Sequence, residues 1–235
     1  MAGTGSALVT GGSSGIGLAI GRMLREEGFA VTLASRTAEK VEAAASELGA
    51  AALQADVSKP EDCARVVEEH VARHGGLDVL VNSAGIGIAS RVEDVQLRHV
   101  DRQLNINLRG LVLVTQAAIP HLRRTGPAWI VNLASIAGTM PVPILPIYAA
   151  TKAAVISLTH TLNADLEADG IRAIALCPGF VDTPMADFTG LRSEQMIQPE
   201  DCAEVVRLCL RLSPAASIDQ VVIRRVGDAT PRPPG

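Results

Sequence analysis

Short apolar runs alternate with longer stretches of helical period along most of the chain. Residues 7–10, 30–35, 51–54, 79–82, 129–132, 173–177 and 220–223 read as strands. Helices are expected over 16–27, 38–48, 61–74, 97–123, 148–168 and 199–212. Pro60, Pro120 and Pro199 suit helix starts or a kink, because proline lacks an N–H and fixes φ. Gly28, Gly49 and Gly170 fall where helices should stop. This alternation predicts a doubly wound α/β fold, a mostly parallel sheet of about seven strands with helices on both faces. In such sheets ligands bind beyond the carboxyl ends of the strands. Gly11, Ser35, Asp56, Ala84, Ser135 and Pro178 each follow a predicted strand and so converge on one edge.

Composition narrows the picture. The 235 residues are 48% hydrophobic, enough for one sizeable core, and no linker, repeat or low-complexity insert divides them. A single domain over 1–235 is expected, with the proline-rich 229–235 as a flexible tail. A net charge of −4 and only 2% aromatic residues argue against nucleic-acid binding, which favours basic patches and stacking aromatics. No apolar segment reaches the roughly 18 residues of a spanning helix. Residues 1–5 lack the basic start and apolar core of a secretory signal. A cytoplasmic protein with no membrane partner is therefore expected. Cys63, Cys177, Cys202 and Cys209 are scattered and read as buried free thiols, the last two on one helix face. His70 and His74 stand one helical turn apart without an apparent third ligand. No metal site is expected from them, and at a helix end they suit the dipole.

Two clusters carry chemistry. Near the start, an apolar run ends in Thr-Gly-Gly-Ser-Ser-Gly-Ile-Gly over 10–17, and a helical pattern follows. Glycines there let backbone approach a pyrophosphate, while the helix N-terminus offers unpaired N–H groups. A tight turn used only for helix–sheet packing is the plainer alternative. Farther on, Tyr148 and Lys152 stand one turn apart on a predicted helix, and Ser135 ends the strand before it. A phenol is a poor acid–base group at neutral pH, but a nearby ammonium stabilises the phenolate. Taken singly, Ser135 could end a strand, Asn107 kink a helix and Lys152 face solvent.

Together these motifs resemble the short-chain dehydrogenase/reductase family in its shorter form. The glycine motif is intact over 10–17. Asn82-Ser83-Ala84-Gly85 matches an Asn-Asn-Ala-Gly motif with one substitution, and Asn107 lies in Asn-Ile-Asn-Leu-Arg-Gly. Ser135, Tyr148, Lys152, Pro178-Gly179 and Thr183 fall at further family positions, so the resemblance is strong over 7–185. It implies a Rossmann fold and an oxidoreductase interconverting a small carbonyl compound and an alcohol. Tyr148 would be the general acid or base, and Lys152 would lower its pKa and hold the nicotinamide ribose. Ser135 would polarise the substrate oxygen, and Asn107 would hold a water linking Lys152 to solvent. Cofactor contacts would come from Gly11, Ser13, Ser14, Gly15, Ile16 and Gly17 in the first turn. Ser35, Arg36, Asp56 and Val57 would serve the adenosine side. Asn82, Ala84, Gly85, Tyr148, Lys152, Pro178, Gly179, Val181 and Thr183 would serve the inner ribose and nicotinamide side.

The second predicted strand ends in Ser35-Arg36 with no acidic residue. An acid there binds the ribose 2′-hydroxyl of NAD, whereas an arginine fork suits a 2′-phosphate. NADP is therefore the expected cofactor, with NAD as the alternative and a solvated Arg36 as the plainer reading. Asp56 resembles the residue that bonds the adenine amino group, or else caps the helix starting near Lys59. Substrate choice falls to loops 86–91, 139–146 and 185–198; three prolines stiffen the apolar second loop as a hydrophobic wall or a packed connection. Apolar positions such as Leu108, Leu111, Val114, Ala154, Leu158 and Leu162 could bury a second face, and the family resemblance, whose members commonly pair these helices, implies a homodimer or homotetramer. A cofactor-sensing regulator without turnover is the reading from a different class.

Overall fold

The computed structural model describes residues 5–227. The tail read over 229–235 and residues 1–4 lie outside them. Seven strands form one parallel sheet in the order β3-β2-β1-β4-β5-β6-β7. They are β1 Ser6–Thr10, β2 Ala30–Ser35, β3 Ala51–Gln54, β4 Val79–Asn82, β5 Ala128–Leu133, β6 Ile171–Pro178 and β7 Gln220–Ile223. The helices between them are α1 Gly15–Glu26, α2 Ala38–Leu48, α3 Pro60–His74, α4 Leu97–Leu104, α5 Leu111–Thr125, α6 Pro146–Leu166 and α7 Pro199–Leu210.

Strand side chains alternate between two cores because successive Cβ atoms point to opposite faces. Ala7, Val9, Val31, Leu33, Val79 and Val81 pack with α1, α2 and α7. Leu8, Ala34, Leu80 and Ile130 pack with α3, α5 and α6. The central strands are buried on both sides, which is why they read as continuous apolar runs. Arg207 of α7 pairs with Glu26 and Glu27 at the end of α1, fixing those helices together at their rim. The Arg172 guanidinium lies 4.0 Å over the fully buried Trp129 ring and donates to the carbonyls of Ser213 and Ala216.

Strand and helix positions follow the sequence pattern closely, with one helix differing in kind. The single helix expected over 97–123 is α4, a π-helical segment Asn105–Gly110, and α5. A π turn carries an extra residue and normally persists only where tertiary contacts reward it. Here Asn107 is turned inward and bonds both backbone groups of Ile86. At the end of the segment, a Cβ on Gly110 would lie 2.4 Å from the Val57 carbonyl oxygen, so only glycine admits that approach. The sixth helix starts at Pro146, ahead of the expected Tyr148, because proline fits its first turn. Pro120 lies inside α5.

The two histidines hold the amino-terminal side of the sheet together. His70 is buried, with Nδ1 2.9 Å from Thr32 Oγ1 and Nε2 3.1 Å from Ser6 Oγ. The Ser6 hydroxyl donates onward to the Gly76 carbonyl, and Thr32 Oγ1 also lies 3.1 Å from His74 Nε2. Burial, with His74 beside it, pushes His70 down to about 3, so it stays neutral. For His70 the expectation of a service to the helix dipole is therefore corrected: its uncharged imidazole satisfies the Ser6 and Thr32 hydroxyls, while His74 does stand in the last turn of α3. All four cysteines are buried and free. No helix among the described residues is long and apolar enough to cross a membrane.

Gly110→Ala should destabilise the protein by about 1–3 kcal/mol, the cost of overpacking a filled site. Urea denaturation with an unchanged midpoint would show that the π segment can yield to the added methyl.

Candidate active site

The turn between β1 and α1 is built on glycines. Gly11 and Gly15 take positive φ of 66° and 54°. A Cβ on Gly17 would lie 2.4 Å from the Gly11 carbonyl oxygen, so the helix starts directly against the turn. Ser14 at the N-cap makes no side-chain cap, which leaves the first donors of α1 to another acceptor. Ser13, Ser14 and Ile16 thus surround a helix N-terminus at the carboxyl edge, an arrangement suited to a phosphate. Thr183 reaches this turn from the far side, its Cγ2 2.8 Å from where a Gly15 Cβ would stand. Its loop is anchored by Gly179 N–H donating to the Ile223 carbonyl at 2.8 Å and by a bridge between Val181 and Ile197.

Along the adenosine side, Arg36 is exposed just beyond β2, and its carbonyl accepts from Gln54 Nε2 at 3.2 Å. Ser35 Oγ donates to the Thr37 carbonyl at 3.5 Å. Asp56 Oδ1 accepts from both the N–H and the hydroxyl of Ser58, at 3.0 and 2.7 Å. One carboxylate oxygen therefore holds the turn into α3, close to the capping alternative. The Val57 carbonyl faces the interior, where it accepts from the Cys63 thiol at 3.3 Å. Asn82 is also turned inward: its Nδ2 donates to Thr115 Oγ1 at 3.0 Å and Asn132 Oδ1 at 2.9 Å. That side-chain nitrogen is thereby committed to the interior. Ser83, the departure from the family motif, packs its hydroxyl 3.0 Å from a Gly17 Cβ position.

The remaining side chains gather where β5 meets α6. Tyr148 is half-buried on the first turn of α6, and Ser135, just beyond the end of β5, faces it. Burial pushes the phenol above its ordinary 10, and the serine pulls the other way. Lys152 lies one turn along, its Nζ 5.6 Å from the Tyr148 ring centroid and 5% exposed as a residue. Its ammonium donates to the Leu133 carbonyl at 2.5 Å. Burial lowers its pKa to about 8, slightly opposed by Cys177. Asn107 Nδ2 donates to Thr151 Oγ1 at 3.1 Å, and that hydroxyl donates to the Tyr148 carbonyl at 2.7 Å. Asn107 Oδ1 and Lys152 Nζ each lie 3.5 Å from where a Gly85 Cβ would stand, so both border the same small space. Thr151 and the Leu133 carbonyl were not singled out from the sequence. No spacing marks a backbone oxygen, and Thr151 reads there as one more small helix residue.

A phenol facing a serine hydroxyl, beside a buried ammonium and next to a glycine-built helix N-terminus, can deliver a proton to an oxygen close to a bound dinucleotide. A model of the family described as short chain dehydrogenase matches residues 6–193. This chain belongs to the short-chain dehydrogenase/reductase family. It is 32% identical over 222 residues to an uncharacterized oxidoreductase of Staphylococcus epidermidis, covering 94% of this chain and 96% of that protein. Among solved structures, an alcohol dehydrogenase from the archaeon Thermococcus sibiricus complexed with 5-hydroxy-NADP superposes with a TM-score of 0.89. It is 29% identical, covering 96% of this chain and 98% of that one. A 3-ketoacyl-(acyl-carrier-protein) reductase from Brucella melitensis complexed with NADH also gives 0.89, at 32% identity and 94% and 97% coverage. The chain is thus a short-chain oxidoreductase on a Rossmann-type sheet.

For this short-chain dehydrogenase, the buried lysine predicts a pH signature. Its folded pKa is lowered to about 8 from 10.5, so the unfolded chain binds the extra proton between those values. Wild-type stability should therefore rise with pH across that window relative to Lys152→Met, by roughly 3 kcal/mol at most. Parallel denaturant titrations at pH 7 and 10 check this; a constant difference between the two proteins would contradict the lowered pKa.

Proposed function

We propose that this chain is an NADP-dependent oxidoreductase interconverting a carbonyl and a primary or secondary alcohol. The observation that carries the reading is the gathering of Ser135, Tyr148 and the buried Lys152 at the carboxyl edge. NADPH, when bound, supplies the hydride. The glycine turn fits its pyrophosphate, because no side chain caps the first N–H donors of α1, and the exposed Arg36 fits a 2′-phosphate. Gly11 to Gly17, Ser35, Arg36, Asp56, the backbone from Asn82 to Gly85, and Pro178 to Thr183 would hold the cofactor. Complexes of related proteins with 5-hydroxy-NADP and with NADP support this choice. The Brucella reductase bound to NADH supports NAD as the second reading.

In carbonyl reduction, negative charge grows on the substrate oxygen. Ser135 would hold that oxygen with a hydrogen bond, and Tyr148 would donate its phenolic proton to it. Because burial disfavours phenolate, the neutral donor is the resting form, and Ser135 beside it eases proton loss. Lys152 would contribute the nearest positive charge. Its ammonium is committed to Leu133, which fixes where that charge sits. Asn107 would keep the space beside Lys152 open to a water that resupplies the proton. Free, buried cysteines suit a reducing cytoplasm. A second copy of the chain would cover the apolar groove of about 350 Å³ between α5 and α6, lined by Val112, Ile119, Pro120, Leu158 and Leu162.

Purified protein should oxidise NADPH with at least one member of a panel of ketones, aldehydes and keto acids, and NADH more weakly. Tyr148→Phe should lower turnover by about 10²–10⁴-fold, with NADPH affinity nearly intact. A variant retaining the wild-type rate would remove the phenol from the mechanism. Arg36→Ala should raise the NADPH KM about tenfold or more without altering that for NADH; equal changes for both cofactors would exclude Arg36 as the selector. Tight NADPH binding with no turnover on any carbonyl would favour the sensor reading.

A further inference from the structure

The segment that follows β4 is pinned at every second backbone N–H. Ile86 N–H donates to Asn107 Oδ1 at 2.9 Å, Ile88 N–H to Gln103 Oε1 at 3.2 Å, and Ser90 N–H to the Ile144 carbonyl at 3.0 Å. Exposure alternates with the pinning: Ile86, Ile88 and Ser90 are half-buried, whereas Gly87 and Ala89 are exposed. The segment is thus held as a strand edge would be, although two of its partners are side-chain amides. Between the first two pins, Gly87 lies against the Tyr148 ring; a Cβ there would be 3.7 Å from Tyr148 Cδ2.

Asn107 belongs to the tetrad already described, but Gln103 does not. It sits near the end of α4, one turn before Asn107, and is 1% exposed. Its Nδ-equivalent group, Nε2, donates to the His99 carbonyl at 3.2 Å while Oε1 accepts from Ile88. A buried amide must satisfy both ends, and an apolar side chain would fill this position without that demand. The π segment begins two residues later, so both amide pins issue from the stretch where the helix changes its winding.

We infer that Gln103 is a positioning residue for the substrate. It fixes the Ile88 side of the pinned segment, as Asn107 fixes the Ile86 side, so that Gly87 stays against the Tyr148 ring and the approach to the phenol keeps its width. This rests on the reading of Tyr148 as the proton donor to a carbonyl substrate.

Gln103→Met keeps the length of the side chain and removes the acceptor. Hydrogen–deuterium exchange on the full chain should then show faster uptake in the peptide covering 86–90, with β4 still protected. The KM for the carbonyl substrate should rise about tenfold, with kcat and the NADPH KM changing less. Gln103→Glu supplies the conservative control. When protonated, a carboxyl both accepts from Ile88 and donates to His99, and burial raises its pKa. The substrate KM of that variant should fall back toward wild type as pH is lowered, a trend the wild type should lack. Unchanged exchange at 86–90 in Gln103→Met overturns the clamp. So does a lowered melting temperature accompanied by an unaltered substrate KM. A wild-type protein inactive on every carbonyl would instead sink the reductase reading, and the exchange result would still decide whether Gln103 holds the segment.

Discussion

A positively charged side chain buried in the middle of the molecule constrains everything around it. An ammonium as secluded as Lys152 is tolerated only with a strong acceptor in reach. The Leu133 carbonyl meets that need, and it is available because β5 ends there and releases its last backbone groups from the sheet. The position of Lys152 is then tied to the sheet by one bond. Tyr148, on the same helix, inherits that placement, and Ser135, two residues beyond Leu133, arrives from the same strand end. Three side chains from two elements are thus set by a single crossing of α6 over the end of β5.

The other half of the site follows from the order of the strands. β1 and β4 are neighbours although β2 and β3 intervene in the chain, and the crossover connections leave a crevice above that switch. Backbone has to approach backbone closely there, which explains the glycine turn of α1 and its contact with Ser83 and Ala84. Side chains facing the interior at the same level, such as Asn82, Thr115 and Asn132, bond one another and stiffen the floor. Polar residues at a strand end therefore divide between a structural and an exposed duty according to the face they share.

The strands were legible because central parallel strands are buried on both faces, and few other local patterns produce such uninterrupted apolar runs. The helix stops at Gly49 and Gly170 were legible too, since a left-handed residue after a helix favours glycine. The π segment was not. Its cause lies in Ile86 and Val57, distant in sequence, and no local periodicity carries that information. The part played by His70 was hidden for the same reason: its partners Ser6 and Thr32 come from distant strands, and burial among them keeps it neutral. Asn107, Ser135, Tyr148 and Lys152 could be named from the family motifs, yet the force acting on the phenol could not. Spacing pointed to Lys152 as the group that lowers the pKa of Tyr148, whereas in three dimensions burial raises it and Ser135 opposes.

That difference bears on how the site could work in both directions. A phenol kept protonated by its surroundings is a ready acid for reduction, and for oxidation the same surroundings resist forming the base. The balance would rest on how firmly Ser135 and the nearby ammonium stabilise the phenolate. Ser135 is itself engaged, since its Oγ accepts from Ala137 N–H at 3.1 Å. That bond leaves the hydroxyl proton as the part free to turn toward an oxygen, whether the phenol's or a substrate's. The backbone turn after β5 thereby leaves the serine able to donate, which is what a growing negative charge requires.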